Sequence, residues 1–156
     1  MGSAEFSGTY LHNIDPKGRV TIPAIYREML GERFTLGMNN QFNAMALYPA
    51  EEWQRISDRL NRIPDSDAKG MAYVRLIKAY SYTNQALDGQ GRLLLPSRLR
   101  DKLGLEKEIC FVGVGRMLEI WDLTRFDAFC MQSEENFGDL MSYVNDRYFS
   151  PAEAGK

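Results

Sequence analysis

One segment of the chain occurs twice, and that duplication restricts the fold more than any other feature of the sequence. Asp15-Pro-Lys-Gly-Arg19-Val-Thr-Ile-Pro23 returns 73 residues later as Asp88-Gly-Gln-Gly-Arg92-Leu-Leu-Leu-Pro96. Residues 14–31 and 87–104 agree at seven of eighteen positions, where composition alone gives roughly one. The two stretches stay in step further on. Leu47-Tyr48 matches Ile120-Trp121, and Trp53 matches Phe126. Two copies are too few for a solenoid, in which each repeat stacks on its neighbours. Two half-folds packed about a pseudo-twofold axis fit better.

Each half reads in the same order. A strand precedes the acid, over 9–14 and again over 81–87. A tight turn follows, then a short second strand, Arg19–Ile22 or Arg92–Leu95. Pro23 and Pro96 stand where a helix tolerates proline, at its first position. The helix turns Tyr26, Met29 and Leu30 inward in one copy, Leu99 and Leu103 in the other. Gly31 and Gly104 are expected to end it as left-handed caps. A hairpin then pairs 33–38 with 44–48, or 108–112 with 117–121. Trp53, Ile56, Leu60 and Ile63 share one helical stripe. Tyr73, Leu76, Ile77 and Tyr80 form another at helical spacing, and Phe126, Phe129 and Cys130 are expected to face inward. Phe137, Leu140, Met141, Val144 and Tyr148 line a last amphipathic helix.

The fold class is therefore α+β, with peripheral helices. Its parts are a first repeat over 7–65, a connecting helix over 66–79, a second repeat over 80–133 and a C-terminal helix over 134–149. Residues 1–6 read as a segment added in cloning and are set aside from the fold.

Composition narrows the function. At 156 residues, with 44% hydrophobic side chains, the chain can bury one substantial core. No apolar run approaches the ~20 residues of a membrane span, and no signal peptide is expected. Cys110 and Cys130 lack metal-ligand spacing and read as small core residues. His12 is the only histidine, which leaves little for a histidine-based metal centre or a Ser-His-Asp triad. No metal, cofactor or catalytic residue is expected. Net charge is −2, too acidic for wholesale coating of nucleic acid. Its distribution is uneven, however: residues 85–107 carry a net +2 and residues 122–156 a net −4. Local potential governs encounter more than the total does.

The repeated turn carries the chemistry. Asp-Pro-Lys-Gly matches a type I turn, and Asp88-Gly-Gln-Gly91 keeps its first and last residues. Asp15 and Asp88 are expected to accept N–H groups of their own turns. Arg19 and Arg92 admit two readings, a surface ion pair with the acid four residues earlier or a guanidinium fork presented to phosphate or to the O6/N7 edge of guanine. Lys17 stands at the tip of the first turn, where the second has Gln90. Arg27 and Arg100, one helical turn past the prolines, serve either phosphates or the fold. Two repeated aspartates also suggest a proton-sharing catalytic pair, but such a pair needs its acids to converge in an apolar cleft, and here each acid is followed by a turn and an arginine.

With both turns, the prolines and the Leu-Gly helix ends in place, the chain resembles the MraZ family over residues 7–148. Its marks here are the paired Asp-x-x-x-Arg motifs, Asp15–Arg19 and Asp88–Arg92, with Leu47-Tyr-Pro-Ala-Glu-Glu-Trp53 and Ile120-Trp-Asp122. The resemblance implies a duplicated AbrB/SpoVT-like swapped-hairpin β-barrel. It implies a cytoplasmic, nucleoid-associated regulator of the division and cell-wall gene cluster, binding double-stranded DNA at direct repeats in its own promoter. It further implies a homo-oligomer, an octameric ring. The family's DNA-contacting motif falls on Asp15, Lys17 and Arg19, with Asp88 and Arg92 as its second copy. The rival reading, of another class, is an antitoxin-like protein-interaction module on the same barrel.

Overall fold

Each half of the chain lays down the same succession of elements. The computed structural model describes residues 5–149 and 151. Its first half runs β1 (Thr9–Asn13), β2 (Arg19–Thr21), α1 (Ala24–Leu30), β3 (Phe34–Met38), β4 (Met45–Pro49) and α2 (Ala50–Leu60). After α3 (Ala68–Ala79), the second half repeats the series. It runs β5 (Tyr82–Gln85), β6 (Arg92–Leu94), α4 (Ser97–Leu103), β7 (Glu108–Gly113), β8 (Leu118–Asp122) and α5 (Leu123–Glu135). Then come α6 (Phe137–Val144) and a π-helical turn (Asn145–Phe149). The class is α+β, with an antiparallel sheet and six α-helices among the described residues. The chain forms two compact units, one ending at Leu123 and one beginning at Thr124.

In the first unit, six strands form an antiparallel sheet in the order β1-β7-β8-β4-β3-β5, and β2 pairs with β6 as a separate ribbon. Exchanging the two halves maps this order onto itself. The first strand of each half lies on the hairpin of the other. β1 runs along β7 from Thr9↔Val112 to Asn13↔Glu108, and β5 lies on β3. The two hairpins meet at β4 and β8, with Leu47 opposite Leu118. Both halves therefore contribute strands to every layer.

The core repeats as the sequence does. Val20, Ile22, Tyr26 and Leu30 are buried in one half, and their counterparts Leu93, Leu95, Leu99 and Leu103 in the other. They pack with Leu36, Leu47, Ile109, Phe111, Leu118 and Ile120, the hydrophobic transfer that drives such a layer together. β3 is buried along its whole length, Thr35 included.

Several local expectations change. Pro23 and Pro96 immediately precede α1 and α4 instead of opening them. Gly104 takes the left-handed conformation, φ 65 and ψ 31, but Gly31 has φ 79 and ψ −177. Gly31 still caps α1, its N–H bonding the Glu28 carbonyl at 3.2 Å, but the chain leaves on an extended path toward β3 and not through a left-handed turn. Phe6, set aside from the fold, is buried; its backbone exchanges hydrogen bonds of 2.7 and 2.8 Å with Gly115. Residues 1–4 of that segment lie outside the described residues.

Of the stripe expected on α3 and just beyond it, Ile77 and Tyr80 are half-buried, but Tyr73 and Leu76 are exposed and Val74 is half-buried instead. The cause is Gly70, which packs so closely on Ile63 that a Cβ there would lie 2.5 Å from the Ile63 methyl. That approach turns the face holding residues 70, 74, 77 and 81 inward. In the second unit Phe126 and Phe129 stack at 6.2 Å, yet Phe129, Phe137, Leu140, Met141 and Tyr148 are exposed. Neither the 13-residue α5 nor the 8-residue α6 nor the π turn has a buried residue among those described.

Candidate nucleic-acid interface

The two turns fold identically. In the first, Asp15 and Gly18 close the backbone with a 2.9 Å bond from the Gly18 N–H, and the Asp15 N–H reaches the Arg19 carbonyl at 2.8 Å. Asp15 Oδ1 accepts the N–H groups of Lys17 (2.9 Å) and Arg19 (2.8 Å), and Oδ2 accepts Arg19 Nε at 2.8 Å. In the second, Asp88 Oδ1 accepts Gln90 and Arg92 at 2.9 and 2.8 Å, and Oδ2 accepts Arg92 Nε at 2.8 Å. The expectation that each acid caps its own turn holds in both copies.

Those donors act on charge. The Arg92 amide, helped by the Arg92 guanidinium and the Gln90 amide, outweighs desolvation and lowers the Asp88 carboxyl from 3.8 to about 2. The Arg19 amide leads the same effect on Asp15, also below its ordinary value. A proton-sharing pair needs one carboxyl raised; here both are lowered, each saturated by its own turn.

The pairing of β2 with β6 brings the two turns into one surface. Arg19 lies opposite Leu94, Val20 opposite Leu93, and Thr21 opposite Arg92. Alternation along a strand puts Val20 and Leu93 on one face, and both are buried. Arg19, Thr21, Arg92 and Leu94 therefore share the outer face, where Leu94 is 59% exposed. The arginines are diagonal neighbours, about 7–8 Å apart at the backbone. Each spends Nε on its aspartate, and among the described residues no partner takes its Nη groups. The ribbon closes at its ends through Leu95 N–H to the Gly18 carbonyl and Ile22 N–H to the Gly91 carbonyl, both 2.9 Å. The turns thus flank it, roughly 13 Å apart at strand spacing.

Lys17 is exposed at the tip of its turn, as is Gln90 at the other. Arg27 donates Nε to the Ile22 carbonyl at 2.8 Å and lays its guanidinium on Gly91. Arg100 donates Nε to the Leu95 carbonyl at 3.1 Å and lays its own on Gly18. Asp15, Lys17, Arg19, Arg27, Asp88, Arg92 and Arg100 thus all gather about one ribbon, five cations against two carboxylates. Sequence reasoning missed three participants. Leu94 and Thr21 complete the outer face, and His12 Nε2 accepts the Thr21 N–H at 3.3 Å. A three-residue strand cannot stand unpaired, and that was the available signal: each short strand needs a partner, and its own copy matches it in length. Among the described residues no cluster of His, Cys, Asp or Glu could hold a metal ion, and no helix is long and apolar enough to cross a membrane.

A duplicated α+β chain presenting a twinned acid–arginine turn on a shared ribbon is the class that this geometry defines. Comparison gives it a family. The family described as "MraZ protein, putative antitoxin-like" matches residues 6–75 and 80–144, one segment for each half. The Transcriptional regulator MraZ of Desulforamulus reducens is 38% identical over 143 residues, covering 90% of this chain and 98% of that protein. That of Moorella thermoacetica is 37% identical over 143 residues, covering 90% of this chain and 97% of its own length. That of Ligilactobacillus salivarius is similar at 37% over 143 residues, with coverage of 90% and 97%. The chain belongs to the MraZ family.

Proposed function

We propose that the chain is a sequence-specific DNA-binding transcriptional regulator whose β2–β6 ribbon reads the major groove. The observation that carries this reading is the placing of Arg19 and Arg92 on one outer face, each oriented by its own aspartate. A two-stranded ribbon fits the major groove, and an arginine fork there matches guanine O6 and N7. Backbone positions about 7 Å apart span two base-pair steps of ~3.4 Å. The relatives' name, Transcriptional regulator MraZ, supports regulation of transcription as the outcome.

Lys17 and Arg19 form the principal contact, and Arg92, beside the uncharged Gln90, the lesser one. Asp15 and Asp88 aim the arginines. The exchanged first strands favour an AbrB-like swapped-hairpin barrel with internal pseudo-twofold symmetry. One ribbon binds weakly. A ring of copies, octameric in this reading, engages direct repeats in the protein's own promoter, upstream of a division and cell-wall cluster. Linking the contacts gains about 10²–10⁴ in affinity and offsets the ~1–6 kcal/mol of bending a duplex. Such a protein works in the cytoplasm, on the nucleoid.

A mobility-shift titration tests this with DNA from upstream of the protein's own gene against a scrambled duplex. Preference for the native fragment is expected; equal binding to both, or none, contradicts it. A second reading, an interaction module that neutralises a partner protein, draws on the apolar side chains exposed on α6 and on the word antitoxin in the family's description. A stoichiometric partner purified with the chain, absent when α6 carries Phe137→Ser and Met141→Ser, would favour it.

A further inference from the structure

Arg27 and Arg100 each belong to one repeat and touch the turn of the other. Arg27 bridges the Ile22 carbonyl, at the end of its own strand, to Gly91 in the second turn. Arg100 bridges the Leu95 carbonyl to Gly18 in the first. Both glycines are buried and have positive φ, 84 and 76, a region glycine enters without steric penalty. With the arginines in place, neither has room for a side chain. A Cβ on Gly18 would lie 2.9 Å from Arg100 Nη2, and one on Gly91 would collide with the Arg27 guanidinium. Neither arginine forms an ion pair among the described residues. Each guanidinium plane is thus spent on a backbone surface across the repeat boundary.

We propose that Arg27 and Arg100 are crossed positioning residues: each fixes the turn of the opposite repeat, so that Arg100 sets Lys17 and Arg19 while Arg27 sets Gln90 and Arg92. The consequence runs against sequence order. The arginine governing the stronger, first turn sits in the second repeat. The planar fork matters as well as the charge, because Nε serves the carbonyl while the flat face covers the glycine; lysine can do only the first. The DNA half of this inference rests on the function proposed above, but the structural half does not.

Two measurements on the full-length protein separate the halves. The first needs no DNA. Hydrogen–deuterium exchange is compared at residues 16–19 and 89–92 for wild type, Arg27→Ala and Arg100→Ala. Arg100→Ala is expected to speed exchange of the Lys17 and Arg19 amides alone, and Arg27→Ala that of the Gln90 and Arg92 amides alone. Loosening of each arginine's own turn, or of both turns alike, overturns the proposal. If an alanine variant fails to fold, Arg27→Gln and Arg100→Gln, which keep a donor near the carbonyl, are read the same way.

The second measurement is a pair of double-mutant cycles on affinity for the upstream DNA. Arg100→Ala should weaken binding about tenfold in wild type and less than about twofold in an Arg19→Ala background, while combining additively with Arg92→Ala. Arg100→Lys should not restore binding. Direct phosphate contact predicts instead that Arg100→Ala adds to both and lowers the salt slope by about one, an outcome that also overturns the proposal. Absence of any DNA binding by wild type would strike the proposed function and leave the exchange pattern to decide the crossing.

Discussion

Asp88 shows how an exposed carboxylate can hold a side chain in place without being buried. It takes two amides on one oxygen and the Arg92 Nε on the other, so its charged form is favoured and its pKa falls from 3.8 to about 2. A lowered folded-state pKa means that the acid stabilises the fold above about pH 4 and that this contribution is lost as pH falls toward about 2. Wild type should therefore melt above Asp88→Asn at neutral pH, with the gap closing between pH 4 and 2; a gap independent of pH would show that the charge is irrelevant. At the partner position Arg19→Lys keeps one positive charge but cannot bond Asp15 and also present a fork. We expect affinity for the upstream DNA to fall about tenfold or more, in line with the loss of one bidentate base contact, measured by fluorescence anisotropy. The acid caps were legible from Asp-x-x-Gly alone, because a capping carboxylate acts within five residues. The roles of Arg27 and Arg100 were not, because each depends on a glycine far away in the chain.

Among elements, the β2–β6 ribbon decides what the turns can do. Its inner face is core and its outer face is not, and the two should respond differently to the same chemical change. Leu94→Ala, on the exposed side, should alter stability by no more than about 0.5 kcal/mol and yet change affinity or base preference. Leu93→Ala, on the buried side of the same strand, should cost about 2–5 kcal/mol. Chemical denaturation of both variants checks the contrast, and equal losses would place Leu94 in a packed environment. The hairpins and short helices were readable from period and punctuation. The rotation of α3 was not, because Gly70 carries the close contact with Ile63 and a glycine adds nothing to a hydrophobic stripe. Pairing of the ribbon was signalled by matching strand length alone, since three residues show too little alternation to reveal a partner.

At the scale of the whole molecule, duplication becomes interlocking. β1 is held by β7 and β5 by β3, so neither half carries its own complete sheet. A fragment of residues 7–65 should fail to melt cooperatively as a monomer, and mixing it with 80–133 should restore a transition; independent two-state melting of the first fragment would contradict the exchanged pairing. The duplication itself was the most readable feature of the sequence, since seven identities in eighteen positions survive. The exchange of strands between halves was not, because pairing register is set by burial that forms only after the halves meet. The same interlock places two arginines from distant parts of the chain on one ribbon, and the proposed function stands on that. Its most direct test is the salt dependence of affinity for the upstream duplex, compared across wild type, Arg19→Ala and Arg92→Ala at constant assembly mass. Binding is expected to fall about tenfold or more with Arg19→Ala, the loss of one bidentate base contact, and less with Arg92→Ala; wild-type affinity and slope in both variants would contradict it.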